Sequence, residues 1–115
     1  GLSPLDIHFL DHFTKFIETN FNREDLNVVE LAREMKLSRS QLYRKVKALL
    51  GISLTEYIKQ VRLKKAEELL QNCDLSVSEI AYQTGYSSPE YFSTVFRLKH
   101  GVAPLQYRSG QKVTL

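Results

Sequence analysis

The chain has 115 residues and 43% hydrophobic content, enough for one compact domain or two very small ones sharing a core. No apolar run reaches the length of a membrane span and no charged-then-apolar start reads as a signal, while the single Cys73 excludes an internal disulfide framework and fits a reducing, cytoplasmic setting. The net charge of +3 is unevenly spread: residues 1–35 carry −4, residues 36–65 carry +8 with nine Lys/Arg against Glu56 alone, and residues 66–115 carry −1.

The predicted elements are helical from end to end. Ser3 and Pro4 open a first helix whose Phe9, Leu10, Phe13, Phe16, Ile17 and Phe21 recur at helical spacing. This aromatic stripe reads as core rather than as a ligand box. Asn27 and Glu30 have the spacing of a capping box for a short helix bearing Val28, Leu31, Ala32 and Met35. Ser38 and Gln41 form a second such pair only three residues past Met35, so the chain must turn sharply between two helices. The next helix places Leu42, Val46, Leu49 and Leu50 on one side, and Ser40, Tyr43, Arg44 and Lys47 on the opposite one. Ser53 and Glu56 then open a long amphipathic helix that runs to about Gln71.

After it the pattern returns. Leu26–Ser38 aligns with Leu75–Ser87 at a constant shift of 49 residues, pairing Glu30 with Glu79, Leu31 with Ile80 and Ala32 with Ala81. Beyond the turn the shift becomes 50, pairing Leu42 with Phe92, Val46 with Phe96, Gly51 with Gly101 and Tyr57 with Tyr107. Two copies of a helix-turn-helix unit account for this, with Ala32 and Ala81 as small residues where helices cross closely. An α-solenoid would also repeat, but two copies separated by a long helix fit it poorly. In the second turn Gly85 takes a left-handed backbone freely. Its counterpart is Lys36, so the first turn is either strained or differently shaped. Ser88 and Pro89 then cap a helix with Tyr91, Phe92, Val95 and Phe96.

The stretch "SVSEIAYQTGYSSPEYFSTVFRLKHGVAPLQYR" resembles the signature region of AraC-type (AraC/XylS) transcription factors in Ala81, Gly85, Tyr86, Phe92, Phe96, Gly101, Pro104, Tyr107 and Arg108. "TEYIKQVRLKKAEELL" resembles the linker helix of the same family, and the likeness covers Asn22 to Arg108. It implies an all-α, homeodomain-like fold of two helix-turn-helix subdomains joined by a long linker helix. The expected parts are an N-terminal helix over 1–21, a first subdomain over 22–52, the linker over 53–72, a second subdomain over 73–108 and a frayed tail over 109–115. A linker of about 17 residues rises roughly 25 Å, comparable with the roughly 34 Å that separates successive major grooves on one face of a duplex.

The resemblance further implies a DNA-binding transcription regulator, an activator whose second helices enter adjacent major grooves of double-stranded DNA, with RNA polymerase as a partner in activation. It is nearest to the output domains of hybrid two-component regulators, in which a histidine kinase and receiver feed a phosphorelay. The start on Gly rather than Met is in keeping with a domain excised from a larger protein, and the resemblance implies a parent that dimerises through other regions and can be anchored to a membrane. For this domain itself the expectation is no enzyme activity, no cofactor, no metal and no small-molecule ligand. His8 and His12 stand at i, i+4, but without a third ligand they read as ordinary helix histidines.

On the first recognition helix Ser40, Tyr43, Arg44 and Lys47 are the candidates for base edges or flanking phosphates. Arg44 leads them, because a guanidinium binds guanine O6 and N7 together. Arg39 and Lys45 flank as phosphate grips. The matching set on the second helix is Ser88, Glu90, Tyr91, Ser93, Thr94 and Arg97. It is much less basic, and Thr94 departs from the basic residue that the family often has there. Most of the affinity is therefore expected from the first subdomain, with the second positioning the protein, tuning specificity or contacting polymerase. The rival reading is a helical protein–protein interaction module without sequence-specific DNA binding, and salt sensitivity separates the two.

Overall fold

Short polar side chains set the start of nearly every helix. In the computed structural model, which describes residues 1–113, the helices are α1 (Pro4–Asn20), α2 (Val28–Met35), α3 (Arg39–Leu50), α4 (Leu54–Asn72), α5 (Val77–Gln83), α6 (Pro89–His100) and α7 (Pro104–Val113). The described residues contain no strand and no helix long and apolar enough to cross a membrane. Ser3 Oγ accepts from the Asp6 amide at 3.1 Å and Asn27 Oδ1 from the Glu30 amide at 3.0 Å. At α3 the box closes in both directions: Ser38 Oγ accepts from Gln41 N, and Gln41 Oε1 accepts from Ser38 N. Ser76 and Glu79 do the same at α5. Each such cap satisfies amides that have no partner inside the helix and is worth about 1 kcal/mol.

The chain divides into two compact units, residues 1–21 with 25–61, and residues 22–24 with Arg62 onward. The division falls inside α4 rather than at the ends of the expected linker over 53–72. Residues 22–24 go with the second unit, where the Arg62 guanidinium donates to the Arg23 carbonyl at 2.8 Å. Nor does helix stop at Arg108: α7 continues through Val113 into the stretch expected to fray, and positions 114 and 115 lie outside the described residues.

In the first unit the aromatic stripe of α1 is core as its spacing predicts. Phe9, Phe13 and Ile17 bury against Leu31, Ala32, Leu42, Val46 and Leu54. Phe13 stacks on Phe9 at 5.6 Å between ring centroids and meets Tyr57 of α4 at 5.5 Å. Full burial of one such side chain contributes roughly 1.5–3 kcal/mol. In the second unit Leu63, Ala66 and Leu70 of α4 pack with Ile80, Ala81, Phe92 and Phe96. Arg108 of α7 ties off the end of α4, its Nε donating to the Leu70 carbonyl at 3.0 Å and its Nη2 to the Cys73 carbonyl at 3.2 Å. Glu67 accepts from Lys99 at 2.8 Å and lies 2.9 Å from His100 Nε2. Burial pushes the Glu67 carboxyl up, but the hydrogen bonds from Lys99 and His100 outweigh it and hold the group below its ordinary value.

Both turns between the helices of each unit have one shape. After α2, Leu37 N donates to the Ala32 carbonyl at 3.0 Å and Lys36 N to the Arg33 carbonyl at 3.2 Å. After α5, Tyr86 N donates to the Ala81 carbonyl and Gly85 N to the Tyr82 carbonyl at the same two distances. This paired arrangement needs one left-handed residue. Gly85 supplies it at φ +91°, and Lys36 at φ +57°, the only non-glycine with positive φ among the described residues. The first turn is therefore strained rather than differently shaped.

Candidate nucleic-acid interface

Within the first unit α3 is seated by Leu42 and Val46, both fully buried, with Leu49 and Leu50 partly buried beside them. That fixes the rotation of the helix, and the residues on its far side follow from it. Arg39, Ser40, Tyr43, Arg44 and Lys47 are all exposed, Tyr43 at 45%. Tyr43 thus presents part of its surface on this side. Arg44 has no ion pair among the described residues, and Lys47 donates to the Gly51 carbonyl at the helix end, 3.1 Å away. The result is an outward face with hydroxyl, phenol, guanidinium and ammonium groups and no carboxylate.

Lys45 does not belong to that face. It is half-buried, with Nζ 4.9 Å from the centre of the Phe9 ring and 3.9 Å from Asp6 Oδ1. Its charge is engaged by α1, where ring and carboxylate both attract it. His12 is engaged similarly, with Nε2 2.9 Å from Glu34 Oε2 on α2.

In the second unit α6 is seated by Phe92, Val95 and Phe96. Glu90, Tyr91, Thr94 and Arg97 are exposed, and Ser88 and Ser93 are half-buried. Ser88 serves the helix itself, its Oγ accepting from the Tyr91 amide at 3.1 Å. Thr94 Oγ1 donates to the Glu90 carbonyl at 3.1 Å. The outward side of α6 has Arg97 as its cation and Glu90 as its anion, so it lacks the basic bias of α3.

A family model described as a helix-turn-helix domain matches residues 31–110, which span both turns and both outward faces. The chain belongs to the AraC-type helix-turn-helix family. Among solved structures, this AraC-type domain is similar to the C-terminal domain of AraT, a response regulator from Geobacillus stearothermophilus, at 36% identity and a TM-score of 0.85, covering 95% of this chain and 87% of that one. It is similar also to the DNA-binding domain of AdpA, a global transcriptional factor whose structure contains a target DNA, at 25% identity and a TM-score of 0.85, over 92% of this chain and 94% of that one. Histidine kinase P4 of Formosa agariphila is 35% identical over 108 residues, 94% of this chain. The chain spans only 8% of that kinase's length.

Sequence reasoning missed Leu98. It lies on the outward side of α6, one turn beyond Thr94, and is 83% exposed. The repeat register holds the signal that would have found it, because Leu98 aligns with Ala48 of α3, itself exposed.

Proposed function

We propose that this AraC-type domain is a sequence-specific DNA-binding module that regulates transcription, with α3 and α6 each entering a major groove. The observation that carries the reading is the outward face of α3, where Ser40, Tyr43, Arg44 and Lys47 stand exposed on a helix fixed by Leu42 and Val46. A helix of this width fits the major groove, and these are the side chains that pair with base edges and phosphates there. The likeness to a DNA-bound relative supports the same orientation. Arg39 grips phosphate at the start of α3. On α6, Arg97 supplies the positive charge and Glu90, Tyr91, Ser93 and Thr94 tune the contact, with Ser88 holding the helix start.

The likeness to a response-regulator domain and to a histidine kinase supports an output role in a two-component system. In that role the domain is an activator that works with RNA polymerase, and its parent dimerises through other regions and receives its signal by phosphorelay.

Selection of binding sites from random duplex DNA, with affinity followed across salt, tests the reading. Two enriched blocks about one helical turn apart and a steep salt slope are expected. Salt-sensitive binding without enrichment would remove sequence specificity from the isolated domain. No binding at low salt would overturn the reading in favour of a protein-interaction module.

A further inference from the structure

The exposed side of α6 carries two ridges of different chemistry. Glu90, Ser93 and Arg97 succeed one another at i, i+3 and i+7, and Tyr91, Thr94 and Leu98 do so alongside. The first ridge is polar. The second ends in hydrocarbon: Tyr91 is 57% and Leu98 83% exposed. Because Thr94 gives its hydroxyl proton to the Glu90 carbonyl, it has no donor left for a ligand and offers its methyl and the acceptor lone pairs of the hydroxyl oxygen. In the repeat register the same ridge of α3 holds Gln41, Arg44 and Ala48, with a guanidinium where α6 has a methyl.

A single exposed leucine is unremarkable in a folded protein. One aligned with a threonine methyl on the face proposed to enter a groove has a matching partner, because thymine alone among the bases offers a methyl group in the major groove. Arg97 on the adjoining ridge keeps the face attractive to the phosphate backbone. We propose that α6 reads thymine 5-methyl groups, with the Thr94 methyl and the Leu98 side chain as the contacts. The block read by α6 is then A·T-rich, whereas Arg44 favours guanine in the block read by α3. This rests on the reading of α6 as a groove-entering helix.

The test uses the operator obtained by selection. Each thymine of either block is replaced by deoxyuridine, which removes the methyl and keeps the pairing. In the α6 block each contacted methyl should be worth about three- to fivefold in affinity, and substitutions in the α3 block should matter less. Thr94→Ser, which keeps the hydroxyl, and Leu98→Ala should bind thymine DNA more weakly and no longer distinguish it from deoxyuridine DNA at the position each contacts. Equal affinity of the unsubstituted protein for both duplexes, or a selected α6 block without thymine, overturns the methyl reading and leaves DNA binding standing. Absence of binding to any duplex overturns both.

Discussion

Lys36 and Gly85 occupy the same place in the same turn, each donating its amide to a carbonyl three residues back at 3.2 Å, yet one has a side chain and the other has none. A left-handed backbone is unfavourable for a lysine by about 1–2 kcal/mol, and glycine's greater freedom when unfolded offsets part of that. Lys36→Gly should therefore raise unfolding stability by roughly 0.5–1 kcal/mol, and Gly85→Ala should lower it by about 1–2 kcal/mol. Urea midpoints of the two variants should move in opposite directions. A lower midpoint for Lys36→Gly would show that the lysine side chain stabilises more than its backbone loses.

The two lysines of α3 should separate by phenotype. Lys45→Met keeps the alkyl stem but gives up the attraction of Phe9 and Asp6, so about 0.5–1 kcal/mol of stability should go while DNA affinity changes little. Lys47→Ala should do the reverse, leaving the urea midpoint nearly unmoved and reducing the salt slope of DNA binding by about one. If Lys45→Met instead flattens the salt slope, its ammonium reaches phosphate in the complex.

Arg44→Ala should weaken binding to the selected operator by roughly 1–3 kcal/mol and relax preference at one base position. The check is a competition titration with each base substituted at that position. Unchanged affinity and preference would mean that a different side of α3 faces the duplex.

Acid should act on the second unit through Glu67. Its carboxyl sits below its ordinary value when folded, so its contribution to stability is full above the ordinary carboxylate range and is lost as the pH falls through the lowered value. Glu67→Gln should be less stable than the parent at neutral pH, and the gap should close on acidification. Chemical denaturation followed across that range measures it, and a gap constant with pH would exclude the ionised carboxylate as the source.

What the sequence made legible was local. Ser3 with Pro4, Ser38 with Gln41 and Ser88 with Pro89 cap the helices they precede, since a cap needs only a side chain three residues from an amide. The stripe of Phe9, Phe13 and Ile17 was legible because a helical period is itself local. The sequence shows Lys45 only as a basic residue flanking the outward face of α3, because its contacts, Phe9 and Asp6, lie on another helix and only packing brings them together. The split of α4 between units was hidden for the same reason. Leu98 escaped notice because hydrophobic residues in an amphipathic helix are assigned to the core by default.

The Arg108 guanidinium sets an order of events during synthesis. The Cys73 carbonyl that it binds leaves the ribosome 35 residues earlier, so the Leu70 and Cys73 carbonyls emerge well before the guanidinium that donates to them. At about 5–20 residues per second, that interval is a matter of seconds, and these two hydrogen bonds form only when Arg108 is free of the exit tunnel. The first unit, complete by Val61, is under no such delay.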